Sequence, residues 1–121
     1  MGGYTVEEYN GTKRWYLDDL LHRENGPAVE RENGDKFWYR NDEFHREDGP
    51  AVEYSDGSRL WYIKGKLHRE DGPAAEYADG FKSWWVNDRH LSEEEFIDKV
   101  KNKKFTATEI ESLKSYGIEV G

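Results

Sequence analysis

The chain has 121 residues, of which 35% are hydrophobic and 36% charged, so it is one domain with room for a modest core. Aromatic residues make up 15%, which argues for a folded chain, since disordered segments are aromatic-poor and each aromatic buries a large surface. A net charge of −8, interleaved with base along the chain, opposes direct binding to nucleic-acid phosphates and to anionic membranes, and the absence of cysteine rules out disulfides and thiolate metal sites.

The chain repeats itself. Trp15-Tyr16, Trp38-Tyr39, Trp61-Tyr62 and Trp84-Trp85 recur every 23 residues. Between them, Leu21-His22-Arg23-Glu24-Asn25-Gly26-Pro27-Ala28 returns as Phe44-His45-Arg46-Glu47-Asp48-Gly49-Pro50-Ala51. It returns again as Leu67-His68-Arg69-Glu70-Asp71-Gly72-Pro73-Ala74. A period of this length means stacked supersecondary units. Asn10-Gly11, Asn33-Gly34, Asp56-Gly57 and Asp79-Gly80 keep the same spacing, and Asn-Gly and Asp-Gly are type I′ hairpin signals. In the unit 51–73, Lys64-Gly65 adds a second turn and Glu70-Asp71-Gly72-Pro73 a third. Strands joined by turns this short can only be antiparallel neighbours. The expected fold is mainly β: an elongated antiparallel meander of consecutive hairpins over residues 1–91.

Side chains alternate along a strand, so each Trp-Tyr pair splits between two faces. One aromatic row is Trp15, Trp38, Trp61 and Trp84. The other is Tyr16, Tyr39, Tyr62 and Trp85, and it is the expected partly exposed, partner-binding strip, with the tryptophan row as the alternative. After Trp85 the pattern breaks. Ser92 and Glu95 make a capping box, which predicts a helix over about 93–103 with Phe96, Ile97 and Val100 as its apolar stripe. Thr108 with Glu111 predicts a second helix, closed at Gly117. Together residues 92–121 form a two-helix cap over the end of the array.

The combination of Trp-Tyr, a polar turn, Leu-His-Arg-Glu-Asp-Gly-Pro-Ala and Glu-Tyr-x-Asp-Gly resembles the MORN-repeat variant of bacteriophage and some bacterial proteins. The resemblance covers roughly residues 10–91, and the Leu91-Ser92-Glu93-Glu94-Glu95-Phe96 ending is similar to the tail that closes such arrays. It implies a β-meander scaffold and a phage or mobile-element origin. It implies no activity.

The recurring polar residues suit structure better than chemistry. His22, His45, His68 and His90 form a periodic set, but equivalent positions two strands apart lie roughly 9–10 Å from one another, too far to share one ion. Each imidazole is expected to hydrogen-bond within its own turn, with no metal and no cofactor. Arg23, Arg46 and Arg69 recur with Glu30, Glu53 and Glu76, which predicts repeated ion pairs, with anion contact as the alternative role. No nucleophile elbow, phosphate-binding loop or helix-borne His-Glu-x-x-His occurs, and repeated motifs do not make the single constellation that catalysis needs. The expectation is therefore a non-enzymatic, cytoplasmic protein-binding module. If phage-encoded, it would be an acidic inhibitor of a basic nucleic-acid-handling host protein, such as a CRISPR or restriction nuclease. The alternatives are a protein that binds a nucleotide signal and a structural or virion scaffold.

Overall fold

The computed structural model describes residues 3–101 and Glu111. Residues 3–101 form an open, antiparallel, repetitive β structure followed by a short helix. A long hairpin opens the chain, β1 (Tyr4–Tyr9) and β2 (Thr12–Leu17), followed by β3 (Leu20–Leu21). The unit 28–50 contributes β4 (Val29–Glu30), β5 (Lys36–Phe37), β6 (Tyr39–Arg40) and β7 (Glu43–Phe44). The unit 51–73 repeats this as β8 (Val52–Glu53), β9 (Arg59–Leu60), β10 (Tyr62–Ile63) and β11 (Lys66–Leu67). The array ends in β12 (Ala75–Glu76), β13 (Lys82–Val86) and β14 (Arg89–Leu91), then α1 (Glu93–Lys101).

The long sheet runs β1-β2-β4-β5-β8-β9-β12-β13-β14, with β3 pairing β2. Each inner unit thus lays two strands into the sheet. In these units the chain leaves the sheet at the tryptophan and turns back as a short ribbon, β6 with β7 and β10 with β11. The tryptophan is the corner. Trp38 donates its amide to Ala51 and accepts from His45, and Trp61 does the same with Ala74 and His68. Ala28, Ala51 and Ala74 are fully buried at these crossings, which explains why the turn ends in the smallest residue with a Cβ.

The turn chemistry differs from expectation. Positive φ at both central residues, the type I′ signature, occurs at Asn10-Gly11 but otherwise at Asp18-Asp19, Asn41-Asp42, Lys64-Gly65 and Asn87-Asp88, the turns of the ribbons. At Asp56-Gly57 only the glycine has positive φ. Gly57 donates to Tyr54 and Tyr54 donates to Ser58, a type I turn with a following left-handed glycine. Asn33-Gly34 and Asp79-Gly80 follow the same scheme. The Asx side chain explains the choice: Asp56 and Asp79 accept from the amides of Ser58 and Phe81 two residues on, which holds the Asx residue out of the left-handed region.

The core lies between sheet and ribbons. Val29, Phe37 and Val52 are buried, with Leu21, Tyr39, Phe44, Leu60 and Tyr62 packed against them. Tyr39 and Tyr62, expected in the partly exposed strip, are half-buried and pack against this core. Phe44 stacks on Tyr39 at 4.6 Å and tilts against Tyr62 at 5.0 Å. Both rows are half-buried, because the ribbon folds back over the tyrosine face while a different group covers the tryptophans.

The predicted capping box is present: Ser92 N–H donates to Glu95 Oε1 at 2.9 Å and Glu95 N–H donates to Ser92 Oγ at 3.1 Å. α1 lies against β13 and β14 and buries Phe96, while Ile97 is exposed, so the apolar stripe is narrower than expected. The predicted second helix at 108–117 lies outside the described residues, apart from Glu111. No described helix is long and apolar enough to cross a membrane.

The packing makes the tyrosines structural. Tyr39→Ala and Tyr62→Ala should each cost about 2 kcal/mol by loss of aromatic burial. Urea unfolding followed by tryptophan fluorescence measures this directly.

Candidate functional site

The site builds up from the His-Arg-Glu-Asx-Gly-Pro turn. Its histidine is buried in each of the three copies, at 4%, 7% and 3% exposure for His22, His45 and His68. Among the described residues the expected bond within its own turn forms only at His22, through Nε2 to Glu24, whereas Nδ1 reaches the next unit in all three copies. His22 Nδ1 accepts the amide of Asn41 at 3.2 Å, His45 Nδ1 that of Lys64 at 2.9 Å, and His68 Nδ1 that of Asn87 at 3.1 Å. Each donor belongs to the ribbon turn of the next unit. The amides of Arg23, Arg46 and Arg69 reach the same ribbons, donating to Tyr39, Tyr62 and Trp85. Asp42 and Asp88 complete the join by accepting the amides of Leu21 and Leu67.

This geometry fixes the tautomer. A ring nitrogen that accepts an amide carries no proton, so the hydrogen is on Nε2. In the first unit Nε2 donates to Glu24 at 2.8 Å, and that bond holds the Glu24 carboxyl below its ordinary pKa. In the second the separation from Glu47 is 3.6 Å, beyond hydrogen-bond length. His68 Nε2 has no hydrogen-bond partner among the described residues. Burial lowers the pKa of His45, and lowers that of His68 to about 4.

His90 does not belong to the set. At 23-residue spacing the position after His68 is Leu91, which is 3% exposed. His90 stands one residue out of register, exposed, with its ring 4.9 Å from that of Trp85. The substitution has a physical reason: among the described residues no further ribbon follows β14, so a buried imidazole would leave Nδ1 unpaired, whereas leucine packs.

The arginines cover the tryptophan row. Arg23, Arg46 and Arg69 place Cζ 3.9, 3.9 and 3.8 Å from the ring centroids of Trp15, Trp38 and Trp61. Each donates through Nη1 to the carbonyl of Pro27, Pro50 or Pro73. The expected carboxylate pairs form as well: Arg23 with Glu30 and Arg69 with Glu76 at 3.0 Å, and Arg46 with Glu53 at 3.6 Å. Asp48 and Asp71 accept hydrogen bonds from the Nε–H groups of Arg46 and Arg69. The motif glycine admits this arrangement, because a Cβ on Gly49 would lie 2.9 Å from Arg46 Cζ, and one on Gly72 3.0 Å from Arg69 Cζ. The residues expected to contact anions thus have guanidinium groups stacked and hydrogen-bonded within their own turns. Sequence reasoning found the Arg–Glu pairs but missed the Trp–Arg stack. The signal was the constant eight-residue interval from Trp15 to Arg23, Trp38 to Arg46 and Trp61 to Arg69.

Of the other expected binding residues, Tyr16 sits mid-strand in β2, opposite Thr5 and Leu21. Trp85 donates its indole N–H to Ser83. Among the described residues, no group of three His, Cys, Asp or Glu side chains could hold a metal ion. Successive turns leave grooves between them. One of about 560 Å³ lies between the first and second turns and includes Glu24, Trp38, Arg40 and His45. One of about 600 Å³ lies between the second and third and includes Glu47, Trp61, Ile63, His68 and Glu70.

Compared with known protein families, curated proteins and solved structures, the chain matches none.

Two outcomes follow from the buried turn. Because the folded His68 pKa of about 4 lies below the ordinary 6.5, the unfolded chain binds the extra proton first. Stability is then complete above about pH 6.5 and falls as the pH drops toward 4, with this residue removing roughly 2 kcal/mol by pH 5. In urea titrations at pH 7.5 and 5, His68→Leu should be the less stable protein at pH 7.5 yet lose less on acidification. Arg46→Lys keeps the charge but loses the planar stack and fork, and should cost about 1–2 kcal/mol by thermal unfolding.

Proposed function

We propose that the chain is a non-enzymatic protein-binding module of phage or mobile-element origin, acting in the host cytoplasm as an acidic inhibitor of a basic, nucleic-acid-handling defence protein such as a CRISPR or restriction nuclease. The observation that carries this reading is the one-sided presentation of acid by the repeated turns. The Glu47, Asp48 and Asp71 side chains are 57%, 88% and 84% exposed, while Arg46 and Arg69 beside them are only 22% and 20% exposed. The turns hide their cations against tryptophan and hold their anions outward. A rigid row of carboxylates offers charge complementarity to a surface built to hold phosphates, and it gives fast, salt-sensitive association. The resemblance to phage-type repeats supplies the proposed origin.

The reading as a nucleotide-signal protein loses its main support, because the guanidinium groups it needs are engaged within the turns. A scaffold role has one observation in its favour. β1 is an outer strand of the sheet, and Tyr4, Val6 and Tyr9 on it are 63%, 59% and 70% exposed, so two copies could pair edge to edge. Sedimentation equilibrium distinguishes a monomer from such an assembly.

Affinity capture of the tagged protein from bacterial lysate, at low and high salt, tests the main reading. The expected result is a basic nucleic-acid-handling protein retained at 50 mM salt and lost at about 500 mM, where the Debye length has shrunk to a few ångströms. Nucleic acid should compete for it. Retention that ignores salt and nucleic acid would sink the inhibitor reading.

A further inference from the structure

We propose that the groove between the second and third turns is a slot for an arginine or lysine side chain carried on a peptide segment of the protein partner. This deepens the protein-binding reading and rests on it.

The two grooves are built on the same template but differ in charge. In the first, Glu24, Glu47 and Asp48 face Arg23, Arg40 and Arg46, and the charges balance. Arg40 also closes on Glu24 at 3.6 Å. One unit later, Ile63 stands in the place of Arg40, and Asp48 in the place of Asn25. The second groove therefore holds Glu47, Asp48, Glu70 and Asp71 against Arg46 and Arg69. Asp48 and Asp71 already accept from those arginines, so Glu47 and Glu70 carry the excess charge. Burial raises the Glu70 pKa, with the Asp71 charge adding to it, so a cation beside it relieves an existing penalty.

The rest of the groove selects among cations. Ile63, which is 6% exposed, lies with Trp61 and Pro50 along the lining and offers an apolar wall to the methylene stem of a long basic side chain. His68 also lines the groove and is 3% exposed, and its Nε2–H is a buried donor without an acceptor among the described residues. A buried donor of this kind costs free energy until it is paired. A peptide supplies both halves of the match: a cationic head for the glutamates and a backbone carbonyl for the imidazole. A polyamine supplies the cation but no acceptor.

The test uses the full chain and an acetylated, amidated decapeptide of alternating glycine and arginine, titrated by calorimetry at low salt. The peptide should bind, and the same peptide with citrulline for arginine should not. Glu47→Gln/Glu70→Gln should weaken binding about tenfold or more. Glu7→Gln/Glu8→Gln, which removes the same net charge from β1, should change it less than about twofold. Ile63→Arg restores the residue of the first groove and should abolish binding in a protein whose circular dichroism is native. Spermidine should compete only at concentrations well above those of the peptide. Absence of peptide binding, equal loss in the β1 control variant, citrulline binding as tight as arginine, or unchanged affinity in Ile63→Arg would each overturn the slot. A basic partner captured from lysate with equal affinity by wild type and Ile63→Arg would overturn the slot while leaving the protein-binding reading intact.

Discussion

The structure hangs on a buried, neutral imidazole that accepts a backbone amide from the following unit. A short ribbon turn has amide donors that its own two strands cannot satisfy, and stacking such turns into a core would bury them unpaired. The histidine solves this across the boundary between units, at 3.2, 2.9 and 3.1 Å in successive copies. Most of the turn follows from that bond. The imidazole must be buried to exclude water from the amide, so the residue after it lies close to the sheet and can fold its guanidinium over the tryptophan corner. A glycine is then needed three positions on to make room for that guanidinium.

Charge on the surface is a by-product of the same device. Each arginine is held inward by a ring, a proline carbonyl and a glutamate. The acidic neighbours that begin the turn are left facing solvent. The turns thereby show more of their acid than of their base, with Asp48 and Asp71 at 88% and 84% side-chain exposure beside Arg46 and Arg69 at 22% and 20%. The joins between units are hydrogen bonds from backbone amides to buried side chains, so the turns are held in one register by the fold itself.

Much of this was legible in the residues. The period, the hairpin order, the Arg–Glu pairs and the capping box at Ser92 and Glu95 follow from spacing and local chemistry, whereas each Trp-Tyr pair was read as lying within one strand and is instead where the chain leaves the sheet. What was not legible depended on contacts between units. Nothing in the string assigns His45 Nδ1 to the amide of Lys64, because that amide is silent in sequence. The turn types were misread at Asp56-Gly57 because an aspartate that bonds its own backbone two residues on looks the same as one at positive φ. The tyrosine row was read as a partly exposed strip and is half-buried, but alternation, which places side chains on faces, does not reveal that the ribbon folds back over one of them.

Leu91 in the histidine position has a consequence for the chain as a unit of inheritance. The two ends of the described array are chemically distinct: it opens on a long hairpin, and the leucine needs no amide from a further unit. Everything between is interchangeable in register, because donor and acceptor meet one unit apart. Unequal crossing-over that gains or loses one 23-residue block would leave both ends intact and change only the number of grooves and the length of the acidic line. The protein can therefore alter its reach in fixed steps while its fold is untouched, and it can retune one groove, as Ile63 has done against Arg40, without disturbing the next.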